Sequence, residues 1–159
     1  MTTQILNKNE KEEMLKMLNE QFGIKNLDGM IFTNNYEKFF IYQGSFGKEE
    51  ISKIEKSAPI EKIGIYFAKI ETNREDEKRI RLSIEGSQML GNQITKNIFE
   101  LNDEQLHEWL KGNEILLDNT EIKPFGFVVI SYKGEFLGTG KASENKISNF
   151  IPKARRLKK

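Results

Sequence analysis

Residues 126–143 read GFVVISYKGEFLGTGKAS, and their pattern decides what the second half of the chain builds. From Phe125 to Tyr132 the run is apolar throughout, short, and rich in β-branched and aromatic residues. That predicts a strand buried on both faces. Lys133-Gly134 turns the chain back into a second strand over Glu135–Lys141. Gly138 and Gly140 inside that strand read as positions for a bulge or a close backbone approach. Tyr132 and Phe136 flank the turn and are expected to form a cross-strand pair.

Working outward, the same half shows more strands and one well-marked helix. Arg79–Ile84 alternates strictly, with Ile80, Leu82 and Ile84 on one face and Arg79, Arg81 and Ser83 on the other. Thr95–Phe99 and Glu114–Leu117 read as further strands. Leu101–Gly112 is a helix in which Asn102 caps, Gln105 sits at N3, Leu101 and Leu106 form a hydrophobic staple, and Gly112 ends the element. A strand-rich unit with one short capped helix is most consistent with a small β-barrel.

The first half mixes helix and strand. Glu10–Gln21 is predicted helical, with Asn9 as N-cap, Glu12 at N3, Gly23 at the end, and Met14, Met17, Leu18 and Phe22 on one apolar face. Gly29–Thr33 and Lys38–Tyr42 read as a hairpin around Asn34–Glu37. Lys48–Lys56 reads as a helix stopping before Pro59, and Ile63–Ile70 as a strand. Thr72–Lys78 (TNREDEK) is the most polar stretch and the expected boundary. The expected fold class is therefore α+β, a small N-terminal α/β domain (1–77) followed by a β-rich domain (78–159).

Charge is split unevenly along the 159 residues. Of 25 Lys and Arg, seven fall between Lys141 and Lys159, against a single acid, Glu144; residues 1–140 hold the other 18 against 23 acids. An acidic body with a basic end points to a polyanionic partner, and its rival is a solvated tail with no specific role. No run of about 18 apolar residues exists to form a transmembrane helix. The N-terminal MTTQILNKNEKEEM lacks a signal-peptide pattern, so a cytoplasmic protein is expected, with no membrane partner.

Catalytic chemistry is sparse. There is no cysteine, which removes thiolate nucleophiles and cysteine-bound metals. His107 is the only histidine and reads as a helix-surface residue. Gly138-Thr139-Gly140 lacks the third glycine and the lysine of a phosphate loop. Asp103/Glu104 and Glu49/Glu50 fall in helix first turns, where carboxylates favour the helix dipole. A non-catalytic binding protein without a cofactor or metal is expected.

Two stretches, IRLSIEGSQMLGNQITKNIFELNDEQLHEWLKGNEI (80–115) and GFVVISYKGEFLGTGKAS, give the chain from residue 79 onward a resemblance to PUA domains, an RNA-binding fold. More narrowly, it resembles the PUA domains of Nip-seven-type ribosome-biogenesis factors and the PUA-like C-terminal region of Sun/Fmu-type rRNA cytosine methyltransferases. The closing NFIPKARRL (149–157) is similar to the end of the latter. The resemblance implies a C-terminal PUA-like β pseudobarrel that grips structured RNA (rRNA or tRNA) in processing, modification or ribosome assembly. Lys141, Lys146, Lys153, Arg155, Arg156 and Lys158 are the expected RNA contacts, since cations that neutralise phosphates release counterions. Arg155 and Arg156 are the expected specific contacts, because a guanidinium binds phosphate bidentately or stacks on a base. The methyltransferases carry an S-adenosylmethionine site and a cysteine nucleophile, so this cysteine-free chain is expected to act with such an enzyme only in trans. An adaptor role stays open beside this reading. In it the acidic N-terminal domain docks on a ribosome-biogenesis or methyltransferase partner.

Overall fold

The computed structural model describes residues 3–58, 60, 63–118 and 126–158. Pro59, Phe125 and Lys159, which figure in the expectations above, lie outside them. The chain begins with a short strand β1 (Gln4–Ile5) and helix α1 (Lys8–Phe22), then the hairpin β2 (Met30–Asn34) and β3 (Lys38–Tyr42). Helix α2 (Lys48–Ser57), β4 (Ile65–Thr72) and β5 (Lys78–Leu82) follow. These strands form one antiparallel sheet in the order β1-β2-β3-β4-β5.

Helix α1 starts two residues earlier than its sequence pattern suggests. Asn7 is the N-cap and Glu10 the N3 residue of a complete capping box, and Gly23 ends the helix in the left-handed region at φ 81°. Asn7/Glu10 and Asn9/Glu12 have the same cap spacing. The earlier pair wins because it lets Leu6 bury and its N–H bond Ile31 O at 2.9 Å, continuing the sheet. The polar stretch after β4 is a hairpin turn, in which Asn73 Oδ1 accepts from the N–H groups of Glu75 and Glu77 at 2.9 Å each. The first sheet therefore runs through residue 82, past the compositional boundary at 77/78.

Ser83 stops β5 and caps α3 (Ile84–Met89), a helix where alternation predicted continued strand. A bulge in β4 makes room for it. Between the pairs Phe39↔Ala68 and Phe40↔Tyr66 the extra residue is Phe67, whose carbonyl accepts the Ser83 N–H at 2.9 Å. The second sheet contains β6 (Ile98–Glu100), β7 (Ile115–Leu116), β8 (Gly126–Tyr132), β9 (Glu135–Ala142) and β10 (Lys146–Ser148), in the order β6-β8-β9-β10-β7. Helix α4 (Asp103–Leu110) follows β6, with the Asn102/Gln105 capping box formed as expected. The fold is α+β, and its second half is a PUA-like pseudobarrel.

The Lys133-Gly134 turn has φ 47° and 84°, the two positive angles of a tight hairpin. A two-residue loop sets Tyr132 opposite Glu135, so Phe136 opposes Ser131 and the expected Tyr132–Phe136 pair does not form. Tyr132 and Phe136 instead pack against different cores. The register shift in this hairpin falls opposite Gly138, at φ 88°.

β8 explains how the halves join. Phe127 and Val129 enter the core that holds Leu18, Phe22, Ile31, Phe39, Ile80 and Leu82, while Val128 and Ile130 face a second core around Trp109, Ile115 and Ile147. The strand is buried on both sides because a core lies on each. β5, the edge of the first sheet, is closed by side chains rather than by another strand. Ile80 N–H donates to Gln21 Oε1 at 2.7 Å while Gln21 Nε2 donates to Ile80 O at 2.9 Å. Thr139 Oγ treats Leu82 the same way, accepting at 3.0 Å and donating at 2.7 Å. Buried backbone groups need such partners.

Candidate functional site

After β10 the chain folds back over α4 instead of trailing into solvent. Asn149 Nδ2 donates to Trp109 O at 2.8 Å and to Asn113 O at 3.0 Å, and its Oδ1 accepts the Ile151 N–H at 2.8 Å. Ile151 is buried in the second core. One turn of 3-10 helix, Lys153–Arg155, follows, and the Leu157 N–H bonds Leu110 O at 2.8 Å. Ile151 in the second core and Phe150 packed against the first thus anchor the basic segment, and the anchor determines where its cations stand.

They do not all stand together. Arg155 Nη1 pairs with Glu85 Oε1 on α3. Arg156 Nε donates to Ile151 O at 2.9 Å, and its side chain lies so close over Gly112 that a Cβ there would overlap it. Lys153 and Lys158 are exposed. Lys146 pairs with Glu114 Oε1 at 3.1 Å, and Lys141, exposed near the end of β9, lines a separate cleft with Glu71, Glu77 and Arg79. His107 is an exposed helix residue, and Trp109 is fully buried with its Nε1 on Leu137 O at 3.3 Å.

Arg155 lines a cleft of about 350 Å³ where the first sheet, α3, β9 and the C-terminal segment meet. The other cations that line it were not singled out in the sequence. They are Lys38 of β3, Lys69 of β4 and Arg81 of β5, with Tyr66 and Phe150 beside them. The Arg81 guanidinium lies 4.1 Å from the centre of the Phe150 ring, a cation–π contact. Alternation placed Arg81 on the polar face of its strand, but only strand pairing brings it beside Lys69 and Lys38. Among the described residues no group of three or more His, Asp or Glu is placed to hold a metal, and no helix is long and apolar enough to cross a membrane.

Residues 96–157, which hold the strands of the mixed sheet, the capped helix α4 and the docked basic end, match the family model described as the methyltransferase RsmF PUA domain. The chain is also similar to full-length proteins named ribosomal RNA small subunit methyltransferase F. That of Psychromonas ingrahamii is 27% identical over 146 residues, 91% of this chain and 28% of the relative. That of Aeromonas salmonicida is 25% identical over 144 residues, again 91% of this chain and 27% of the relative. The Shewanella oneidensis protein is 44% identical over a shorter 57 residues, 36% of this chain and 12% of its own length. The two longer matches extend over both sheets, while the chain spans less than a third of any of these relatives.

Proposed function

We propose that the chain is a non-catalytic RNA-binding module acting in rRNA modification in the cytoplasm, and that it grips structured RNA with the basic C-terminal segment of its PUA-like half. The observation that carries this reading is the docking of that segment on α4. Lys153, Arg155 and Lys158 leave a fixed backbone, so several phosphates are met without first ordering a tail. Affinity then comes mainly from counterion release and falls steeply with salt. In this reading Arg156 serves as a clamp that shapes the segment, while Lys141, in its separate cleft, and Lys146, paired with Glu114, stand apart from it.

The test is binding of small-subunit rRNA fragments at two salt concentrations, comparing the native chain with Lys153→Gln/Arg155→Gln/Lys158→Gln. Neutralisation is preferred to truncation because Ile147 and Ile151 are buried. Salt-sensitive binding that collapses in the variant supports the reading. Binding that is absent, or unchanged in the variant, overturns it. A second reading, an adaptor for a protein partner, draws support from a groove of the N-terminal α/β part. Glu10, Glu13 and Glu37 line it beside Met17 and Tyr36, with one cation, Lys78, at its edge, a mostly acidic surface suited to a basic peptide.

A further inference from the structure

Lys38, Lys69 and Arg81 stand on three neighbouring strands, and register sets Lys38 directly opposite Lys69 and Lys69 directly opposite Arg81. Like charges facing each other across a sheet lower its stability, so the sheet's own energetics do not call for this row. Acids offset it in part. Glu37 lies 3.0 Å from Lys69, and Glu71 lies 3.5 Å from Arg81 and 3.9 Å from Lys69. Among the described residues that line the cleft, the three cations and Arg155 meet one acid, Glu85. With strands about 4.8 Å apart, the row spans roughly 10 Å. The cleft's 350 Å³ is at the small end of ligand-sized sites and too small to admit a helix. Stacking on Phe150 holds the Arg81 fork in place, which lowers the entropy cost of a bidentate phosphate contact.

We infer that an unpaired RNA strand runs through this cleft, with its phosphates between Arg155 on one wall and the Lys38–Lys69–Arg81 row on the other. The first sheet is then part of the RNA interface, and the PUA-like half does not act alone. This inference rests on the RNA-binding reading above and gives it a path.

The test is Lys38→Gln/Lys69→Gln in the full chain, titrated with small-subunit rRNA fragments over a series of salt concentrations. Each single-strand phosphate contact contributes about 0.7 to the slope of log affinity on log salt. The variant's slope is therefore expected to shrink by about 1.4, and its affinity at physiological salt to fall on the order of tenfold. Lys16→Gln/Lys25→Gln, whose lysines line a different groove, is the control expected to keep both values. A native chain that binds while the row variant keeps its slope and affinity overturns the cleft path and leaves the tail reading standing. A native chain that binds no RNA overturns both. A melting curve checks folding, and if the double variant fails to fold, Lys38→Gln alone is expected to give half the slope change. An unchanged slope in that single variant refutes the path equally.

Discussion

Asn149 carries no charge, yet its removal is expected to weaken RNA binding, because it fixes where the basic segment lies. Asn149→Ala deletes three hydrogen bonds, to Trp109 O, Asn113 O and the Ile151 N–H. Each is worth about 1 kcal/mol net. Trp109 O keeps the Gly112 N–H at 2.9 Å, and the bond to Asn113 O is exposed, so part of the loss is recovered. About 2 kcal/mol remains, which lowers the melting temperature by roughly 4–8 °C for a chain of this size. The loss is local in origin, so the Leu157 N–H, bonded to Leu110 O only while the segment is docked, is expected to lose protection from hydrogen exchange ahead of β8. Calorimetry, amide exchange and the rRNA titration on one preparation make the assay. An unchanged melt with unchanged Leu157 protection refutes the anchoring role of Asn149. A lowered melt and an exposed Leu157 amide with native RNA affinity refute the claim that docking positions the cations.

Gly86→Ala tests the seat of α3, since a Cβ there would fall 2.1 Å from Phe67 O, a backbone atom fixed by the β4 bulge. Overpacking of this kind costs about 1–3 kcal/mol, and a urea melt matching the native chain would refute the close approach. Glu100 supplies a pH dependence. The Ser131 hydroxyl first, and then the Lys133 backbone N–H, hold its carboxyl below the ordinary value of 4.5. A depressed folded-state value means that the stabilisation is present above the ordinary value and is lost as pH falls through the folded one. The stability gap between the native chain and Glu100→Gln is therefore expected at neutral pH and to narrow as the solution is acidified below about 4.5. A gap that stays constant across that range would refute the assignment.

Features set by neighbours in sequence were legible, and those set by strand pairing were not. The Asn102/Gln105 box, the β2–β3 hairpin and the doubly buried β8 depend on local spacing and composition, and all appear where the pattern puts them. β10 and β1 did not stand out, because two or three residues carry too little periodicity to read. Helix α3 was missed for a different reason. Ile84 continues the alternation of Ile80 and Leu82, but the serine before it is a helix cap, and that signal competes with period two. At the candidate site the anchored basic segment could be seen in Phe150-Ile151-Pro152 followed by cations. The row of cations in the same cleft could not, because Lys38, Lys69 and Arg81 are separated by 31 and 12 positions and meet only through register.

β5 links the stability of the fold to the geometry of the cleft. Its inward residues, Ile80 and Leu82, lie in the core that both halves share, and their outward backbone groups are held by Gln21 from α1 and Thr139 from β9. Its alternate residue Arg81 is thereby presented to the cleft at a height fixed from both sides. Thr139 lines that cleft, and Gly140 beside it packs so closely that a Cβ would overlap Ile147 and crowd Trp109. Trp109 in turn carries the carbonyl that receives Asn149. A continuous chain of packed or bonded groups therefore runs from β5 through Thr139 and Trp109 to Asn149, which anchors the segment that carries Arg155. The Lys38–Lys69–Arg81 row of the first sheet and Arg155 of the C-terminal 3-10 turn are thereby tied to one strand edge and one buried tryptophan.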